Sequence, residues 1–303
     1  MAIPDFQSLM LPLLKLMQDG QERIQSDIRD ALAQQFSVSY AERSELLASG
    51  RQGRFNNRVG WAKSYLVMAG LLTPTSRGKC RIANAGQQVL QQKPSKIDIH
   101  YLSQYPEFIA RRTSRKNNGE DETAIGSIES SQTPEEKMES GYQNLRQSLA
   151  QDILAHVKQI TPQRFEGLVV DLLVAMGYGG SRSDAGQAVG RSGDGGIDGI
   201  IKEDKLGLDA IYIQAKRWEG NVGRPVVQAF TGSLEGQRAR KGVLITTSQF
   251  TNDALEYVNR IEKKIVLIDG EQLAELMINH GIGVTETATY VVKRIDQDYF
   301  TEE

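Results

Sequence analysis

The sequence is poor in the side chains from which many metal and redox sites are built. Its 303 residues include one cysteine, Cys80, and three histidines, His100, His156 and His280. A single cysteine excludes an intramolecular disulfide and a cysteine-rich zinc site. The histidines are isolated from one another and match no metal-ligand spacing.

Long apolar runs are also absent. No stretch approaches the ~18 consecutive apolar residues of a membrane-spanning helix. The first residues lack the basic region and the hydrophobic region of a signal peptide. These absences predict an intracellular protein located in the cytoplasm.

Charge is nearly balanced over the whole chain but unevenly distributed along it. The formal net charge is -2, whereas residues 1–96 contain 13 Lys and Arg against 7 Asp and Glu. The remaining residues are therefore net acidic. A chain of this length is expected to form two or three domains. The charge distribution predicts an anion-binding N-terminal domain joined to an acidic one.

Residues 1–96 show the order of elements of a winged-helix DNA-binding domain. Short helices with apolar stripes precede a helix predicted over residues 55–69, and Gly70 closes that helix. A hairpin is predicted from strands 71–73 and 80–82. Helix 55–69 would be the recognition helix and the hairpin the wing.

A basic segment, residues 51–82, coincides with this helix and hairpin and contains no Asp or Glu. Basic side chains on a helix and a ribbon can neutralise phosphates on either side of a DNA groove. A solvated basic surface is the simpler interpretation, but the complete absence of acids favours DNA binding. The predicted DNA-binding residues are Arg51, Arg54, Arg58, Lys63, Arg77, Lys79 and Arg81.

Residues 97–140 are predicted to be a flexible linker. Most of this stretch is polar, and Ile125 and Ile128 are almost the only apolar residues between 111 and 139. A helix is predicted to resume near Tyr142 and to run toward Ile160. Its apolar stripe could pack on the following domain or form a dimer seam, and intramolecular packing is the favoured interpretation. The stripe consists of Leu145, Leu149, Ile153 and Val157.

Residues 141–303 alternate between helical and strand patterns and predict an α/β sandwich. A helix begins at Thr161-Pro162 and ends at Gly177. Strands are predicted over 196–202, 210–216, 242–247 and 264–269, and helices over 224–236, 252–260 and 271–279.

Asp198, Gln214 and Lys216 are the residues best suited to chemistry. Alternation along strand 210–216 places Gln214 and Lys216 on one face, which is unusual for a buried strand. Mg²⁺ prefers hard oxygen ligands and retains several waters, so Asp198 and the carbonyl of Ala215 could bind it. Lys216 could orient an attacking water and stabilise the charged transition state. Gln214 would contribute its side-chain oxygen or hold a water.

These residues resemble the PD-(D/E)xK nuclease superfamily in its Gln-x-Lys variant. Four ordered blocks resemble Mrr-type restriction endonucleases more closely, and two N-terminal blocks resemble the winged-helix domain of that family. The four blocks are residues 193–199 (GDGGIDG), 214–218 (QAKRW), 228–232 (QAFTG) and 245–251 (ITTSQFT); the N-terminal ones are residues 57–62 (NRVGWA) and 76–79 (SRGK).

The resemblance implies a modification-dependent (type IV) restriction endonuclease that cuts double-stranded DNA carrying methylated bases. It implies Mg²⁺ as cofactor, with Mn²⁺ as a substitute, and the core Asp198, Gln214 and Lys216 with Glu166 as a helix-borne acid and metal ligand. Gln228 and Ser248 are candidates for lining the site. Because cutting both strands calls for two active sites or sequential nicking, a homodimer or larger assembly is expected.

Two other functions fit the same residues. One is a structure-specific nuclease that acts in repair or on junctions, because this catalytic fold hosts many nucleases. The other is a DNA-binding regulator whose nuclease domain is inactive. The intact set of Asp198, Gln214 and Lys216 argues against the second alternative.

Overall fold

A computed structural model describes residues 3–76, 78–113, 131–179, 196–203 and 208–293. These residues form two compact units. Unit 1 lies within Met1–Gln143, and unit 2 is Asn144–Lys293. Within the described ranges, every helix is too short or too polar to cross a membrane.

Unit 1 combines helices with a small antiparallel sheet of order β1-β3-β2. Its hairpin pairs β2 with β3 so that Leu72 is opposite Ile82 and Pro74 is opposite Cys80. The elements are α1 (Met10–Leu16), β1 (Arg23–Ile24), α2 (Gln25–Gln35), α3 (Tyr40–Ser44), α4 (Arg54–Met68), β2 (Leu72–Pro74), β3 (Lys79–Ile82), α5 (Asn84–Gln91), α6 (Ile99–Leu102) and α7 (Pro106–Thr113).

The predicted recognition helix and hairpin are present in unit 1 at nearly the predicted positions. Helix α4 buries Phe55, Val59, Ala62 and Leu66 in a core that also receives side chains from α1, α2 and β3. It ends where Gly70 adopts a positive φ of 71°, a conformation that favours glycine. Helices followed by a two-stranded ribbon are the order of a winged helix.

The structure corrects the predicted flexible linker over residues 97–140. Residues 99–113 form α6 and α7, and residues 134–140 are helical. Ile97, Leu102 and Phe108 are buried in the core of unit 1. These apolar side chains supply the buried surface that holds the segment in place. Residues 114–130 lie outside the described residues.

Helix α8 (Pro134–Gln159) begins well before the predicted start near Tyr142. Thr133 and Glu136 form a capping box at its N-terminus, with Thr133 N donating to Glu136 Oε2 at 2.9 Å. Only half of the predicted apolar stripe is buried. Ile153 and Val157 are buried in unit 2, whereas Leu145 and Leu149 are exposed.

Unit 2 is built on a mixed sheet of order β4-β5-β6-β7, in which β4 is antiparallel to β5 and the other pairs are parallel. Most of its elements agree with the predicted ones to within two residues at each end. They are α9 (Pro162–Ala175), β4 (Gly199–Lys202), β5 (Ala210–Lys216), α10 (Arg224–Gly236), β6 (Lys241–Thr246), α11 (Asn252–Val258), β7 (Lys264–Ile268) and α12 (Gly270–Asn279).

The sheet is covered on both faces. One face packs against α9, α12 and the end of α8, and it receives Ile211, Ile213 and Ala215 from β5. The other face packs against α10 and α11, and Tyr212 contributes to it. The period-two alternation predicted for β5 is therefore confirmed for its apolar residues, and the chain has the predicted α/β fold class.

Candidate active site

Asp198 is fixed at the point where the chain enters β4. Its backbone N–H donates to the carbonyl of Ile213 at 2.8 Å. Its carboxylate Oδ2 accepts a hydrogen bond from the backbone N–H of Ala215 at 2.7 Å. Strand β5 thus holds both the main chain and the side chain of Asp198, which fixes the carboxylate at the sheet.

Ala215 directs its carbonyl toward the same side as its N–H. In a strand, the N–H and C=O of one residue point to the same side and alternate with those of the next residue. The carbonyl of Lys216 accordingly points away, toward β6, where it accepts from Thr246 Oγ1 at 2.9 Å. The Ala215 carbonyl therefore faces the side on which Asp198 lies, as a metal ligand there requires.

Gln214 is the residue before Ala215 on β5, and its side-chain amide is only partly hydrogen-bonded among the described residues. The residue is 5% exposed, and its Nε2 donates to the carbonyl of Gly196. Its Oε1 is buried and has no hydrogen-bond partner in the part of the chain that the structure describes. A buried acceptor without a partner is costly, because its hydration has been lost and not replaced. A bound cation would supply the missing partner.

Glu166 shares an electrostatic environment with Asp198 and Lys216. It lies on α9, which Thr161 caps by accepting a hydrogen bond from Arg164 N at 3.2 Å. Burial raises the pKa of the Glu166 carboxyl, the nearby Asp198 carboxylate raises it further, and the Lys216 ammonium opposes both. The fold therefore brings the carboxyl of Glu166 within electrostatic range of Asp198 and Lys216.

These donors suit a hard divalent cation. They are carboxylate oxygens of Asp198 and Glu166, the amide oxygen of Gln214 and the carbonyl of Ala215. Among the described residues, no cluster of three or more His, Cys, Asp and Glu could hold a metal. Such a set of oxygen donors suits a hard divalent cation that keeps several waters better than a metal that requires nitrogen or sulfur ligands.

The two candidates for lining the site are placed differently. Gln228 is exposed on α10. Ser248 is buried, and its hydroxyl donates to the carbonyl of Glu219 at 3.4 Å, so it supports the chain just after β5. Asp194, within the motif block 193–199, lies outside the described residues.

Some of the predicted DNA-binding residues are accessible in unit 1. Arg51, Lys79 and Arg81 are exposed, and Lys63 is half-buried. Arg77 lies outside the described residues.

Arg54 and Arg58 are instead paired within unit 1. Arg54 Nε lies 3.1 Å from Glu45 Oε1, and Arg58 Nε lies 2.9 Å from Glu136 Oε1. The Arg58 side chain is 14% exposed and that of Glu136 is 5% exposed. Arg58 also donates to the carbonyl of Ile3 at 2.6 Å. It is therefore less accessible to DNA than the sequence suggested.

Gly196 contacts Gln214, and the sequence pattern alone did not single out this position. Its φ is +94°, and a Cβ placed there would lie 2.8 Å from Gln214 Nε2. The glycine run was a visible signal, but the contact with Gln214 depends on how β4 and β5 pair.

Comparison with known proteins identifies both parts of the chain. A family model described as Mrr N-terminal domain matches residues 6–92, and one described as restriction endonuclease matches residues 157–277. The type IV methyl-directed restriction enzyme EcoKMrr of Escherichia coli is 36% identical over 313 residues, which cover 99% of this chain and 100% of that protein.

A solved structure of the MspJI restriction endonuclease with a 27-mer oligonucleotide is more distant. It is 23% identical, has a TM-score of 0.33, and the match covers 44% of this chain and 31% of that one. The family matches and the full-length relative confirm the resemblance seen in the motif blocks. The chain therefore belongs to the Mrr family of restriction endonucleases.

Proposed function

We propose that this endonuclease hydrolyses double-stranded DNA carrying methylated bases and requires a divalent cation, Mg²⁺ in the first place. The observation that supports the metal requirement is the buried Oε1 of Gln214, which has no hydrogen-bond partner among the described residues, next in sequence to Ala215, whose N–H holds the Asp198 carboxylate. Asp198, Gln214, the carbonyl of Ala215 and Glu166 would hold the cation.

The residues have distinct roles in phosphodiester hydrolysis. A divalent cation held by these residues would offset charge on the phosphate and lower the pKa of an attacking water. The Lys216 ammonium lies close enough to Glu166 to affect its pKa, so it can orient the water and stabilise the additional negative charge of the transition state. Ala215 N–H keeps the Asp198 carboxylate in place throughout.

Recognition of DNA is assigned to unit 1. Its exposed Arg51, Lys79 and Arg81 lie in or next to a helix and hairpin free of acidic residues. Such side chains suit phosphate contacts, which determine affinity more than sequence preference. The specificity for methylated DNA is inferred from the relative in Escherichia coli, whose name describes it as methyl-directed.

The proposal is tested with one plasmid prepared from methylating and from non-methylating hosts. Wild type, Lys216→Ala and Lys202→Ala are incubated with each plasmid in Mg²⁺ or in EDTA. Lys202 is the matched control, because it is an exposed lysine on the neighbouring strand β4. We expect wild type and Lys202→Ala to cut only methylated plasmid in Mg²⁺, and Lys216→Ala to bind DNA without cutting it.

The other results separate the alternatives. Cutting of both plasmids would support nuclease activity but contradict specificity for methylated DNA. A preference for branched DNA would indicate a structure-specific nuclease. Binding without cutting by wild type would favour a regulator. We also propose that two copies act together on the two strands, which sedimentation of the DNA complex tests.

A further inference from the structure

The acidic start of α8 lies against α4 and the loop that precedes it. Glu135 Oε2 accepts from the indole Nε1 of Trp61 at 2.6 Å, and Glu139 Oε1 accepts from the backbone N–H of Ala48 at 2.7 Å. Between them, Glu136 pairs with Arg58. These six residues all belong to unit 1. We name Glu135, Glu136 and Glu139 the acidic clasp.

Glu136 anchors the acidic clasp. Its carboxylate accepts from Arg58 Nε through Oε1 and from Thr133 N through Oε2. Thr133 is fully buried, and it caps the helix by accepting from Glu136 N at 3.3 Å. Hydrogen bonds to an ionised group are about twice as strong as neutral ones. Glu136 is therefore held firmly in place by hydrogen bonds, whereas Glu135 and Glu139 on either side of it are more accessible.

The donors held by the clasp are of the kinds that bind DNA phosphates. An arginine, a side-chain N–H and a backbone N–H are the usual phosphate contacts in protein–DNA interfaces. Arg58 and Trp61 lie on α4, within the acid-free basic segment, and Ala48 precedes that segment by a few residues. The carboxylates of the clasp thus occupy two donors on α4, which corresponds to the recognition helix, and one donor in the loop before it.

We propose that the acidic clasp competes with DNA phosphates for unit 1, so that DNA binding displaces Glu135 and Glu139. This inference rests on the proposed function, in which the basic segment binds DNA. Because the contacts of the clasp must be broken before any DNA binds, they lower the affinity of unit 1 for all DNA by the same factor. Unmodified DNA, which offers fewer contacts, is then released, while a site with additional specific contacts is still bound.

The test measures binding of the full-length chain to a labelled duplex in EDTA, so that the DNA is not cut. Glu135→Gln and Glu139→Gln are compared with Glu22→Gln, which removes the same charge from an exposed position of unit 1 outside the clasp. We expect each clasp variant to bind about fivefold more tightly than wild type and Glu22→Gln to stay within about twofold. Equal tightening by Glu22→Gln, or unchanged affinity of both clasp variants, would overturn the proposal.

A separate variant distinguishes failure of the clasp from failure of the proposed function. Arg81→Gln removes an exposed charge of the basic segment without touching the clasp. If Arg81→Gln and Lys79→Gln leave DNA affinity unchanged, binding by the basic segment is wrong. If they weaken binding while the clasp variants behave as wild type, only the clasp proposal is wrong.

Trp61 provides a direct readout of displacement. The chain has two tryptophans, so Trp218→Phe leaves Trp61 as the sole indole fluorophore. DNA binding should change the emission of Trp61, and Glu135→Gln should change it in the same direction without DNA. Emission that stays constant while DNA binds would show that the bond between Trp61 and Glu135 persists in the complex, which contradicts displacement.

Discussion

Gln214 and Gly196 are bound to each other through the amide nitrogen of one and the carbonyl of the other. The carbonyl can only accept a hydrogen bond, so the nitrogen of the amide must face it. The amide oxygen is consequently fixed on the opposite side of the amide group, where it is buried without a hydrogen-bond partner among the described residues. A backbone carbonyl thus determines which atom of Gln214 would be available to the proposed cation.

Gly196→Ala is expected to disable cleavage by displacing Gln214. The added Cβ would lie 2.8 Å from Gln214 Nε2, and alanine is strained at a φ of +94°. Changes to groups that orient metal ligands typically cost about 10- to 100-fold in metal affinity or activity. Single-turnover cleavage measured over a Mg²⁺ titration should show a loss of this size.

Gly220→Ala is the control for this variant, since a Cβ at Gly220 meets no atom within 4 Å and its φ is not positive. It should cut DNA at the wild-type rate. Wild-type Mg²⁺ dependence in Gly196→Ala would contradict the positioning of Gln214 by Gly196.

Gln214→Glu should have opposite effects without and with metal. Without metal, a carboxylate replaces the donor to Gly196 and leaves a charge buried beside a carbonyl, so the melting temperature should fall. With metal, the additional negative charge strengthens binding, so the rise in melting temperature on adding Mg²⁺ should exceed that of wild type. Gln214→Ala, which removes both groups, should show the smallest rise. An equal Mg²⁺ response in wild type and Gln214→Glu would argue against Gln214 as a ligand.

The elements of the nuclease half could be predicted because local signals agree with the tertiary structure. Strand β5 and helix α10 lie at the predicted positions, since alternation defines the strand and Pro225 and Gly236 bound the helix. The candidate site could also be predicted, because Asp198, Gln214 and Lys216 fall in motif blocks; their catalytic role stays a prediction.

Long-range contacts could not be predicted in the same way. The carbonyl of Gly196 contacts Gln214 only because β4 and β5 pair. The register of that pairing cannot be deduced from the spacing of residues in the sequence. In the sequence, Arg58 looks like any other basic residue on a recognition helix. The structure shows that Glu136 of α8 pairs with it. The prediction of a flexible linker was wrong for a related reason. The segment is mostly polar, so its few apolar side chains, such as Phe108, did not indicate that residues 97–113 pack in the core.

Asp198→Asn should separate folding from catalysis. Asparagine retains an oxygen that can accept from Ala215 N–H, so the local structure should persist. Loss of the negative charge should reduce cleavage by more than about 100-fold. DNA affinity in EDTA should be unchanged or tighter, because an acid near the phosphate has been removed. Asp152→Asn, an exposed acid on α8, should cut normally. Weaker DNA binding by Asp198→Asn would point to a binding role for this residue instead.

Glu136→Ala should destabilise unit 1 far more than loss of an exposed ion pair does. The variant leaves the Arg58 guanidinium, 14% exposed, without its carboxylate and also removes the capping contact with Thr133. Breaking a buried pair costs about 3–5 kcal/mol. Asp30→Ala removes the partner of Arg43 in a pair whose side chains are 40% and 75% exposed, and should cost less than about 1 kcal/mol. Urea unfolding followed by Trp61 fluorescence in the Trp218→Phe background compares the two free energies of unfolding. Similar losses would mean that the Arg58–Glu136 pair is not the anchor of the acidic clasp.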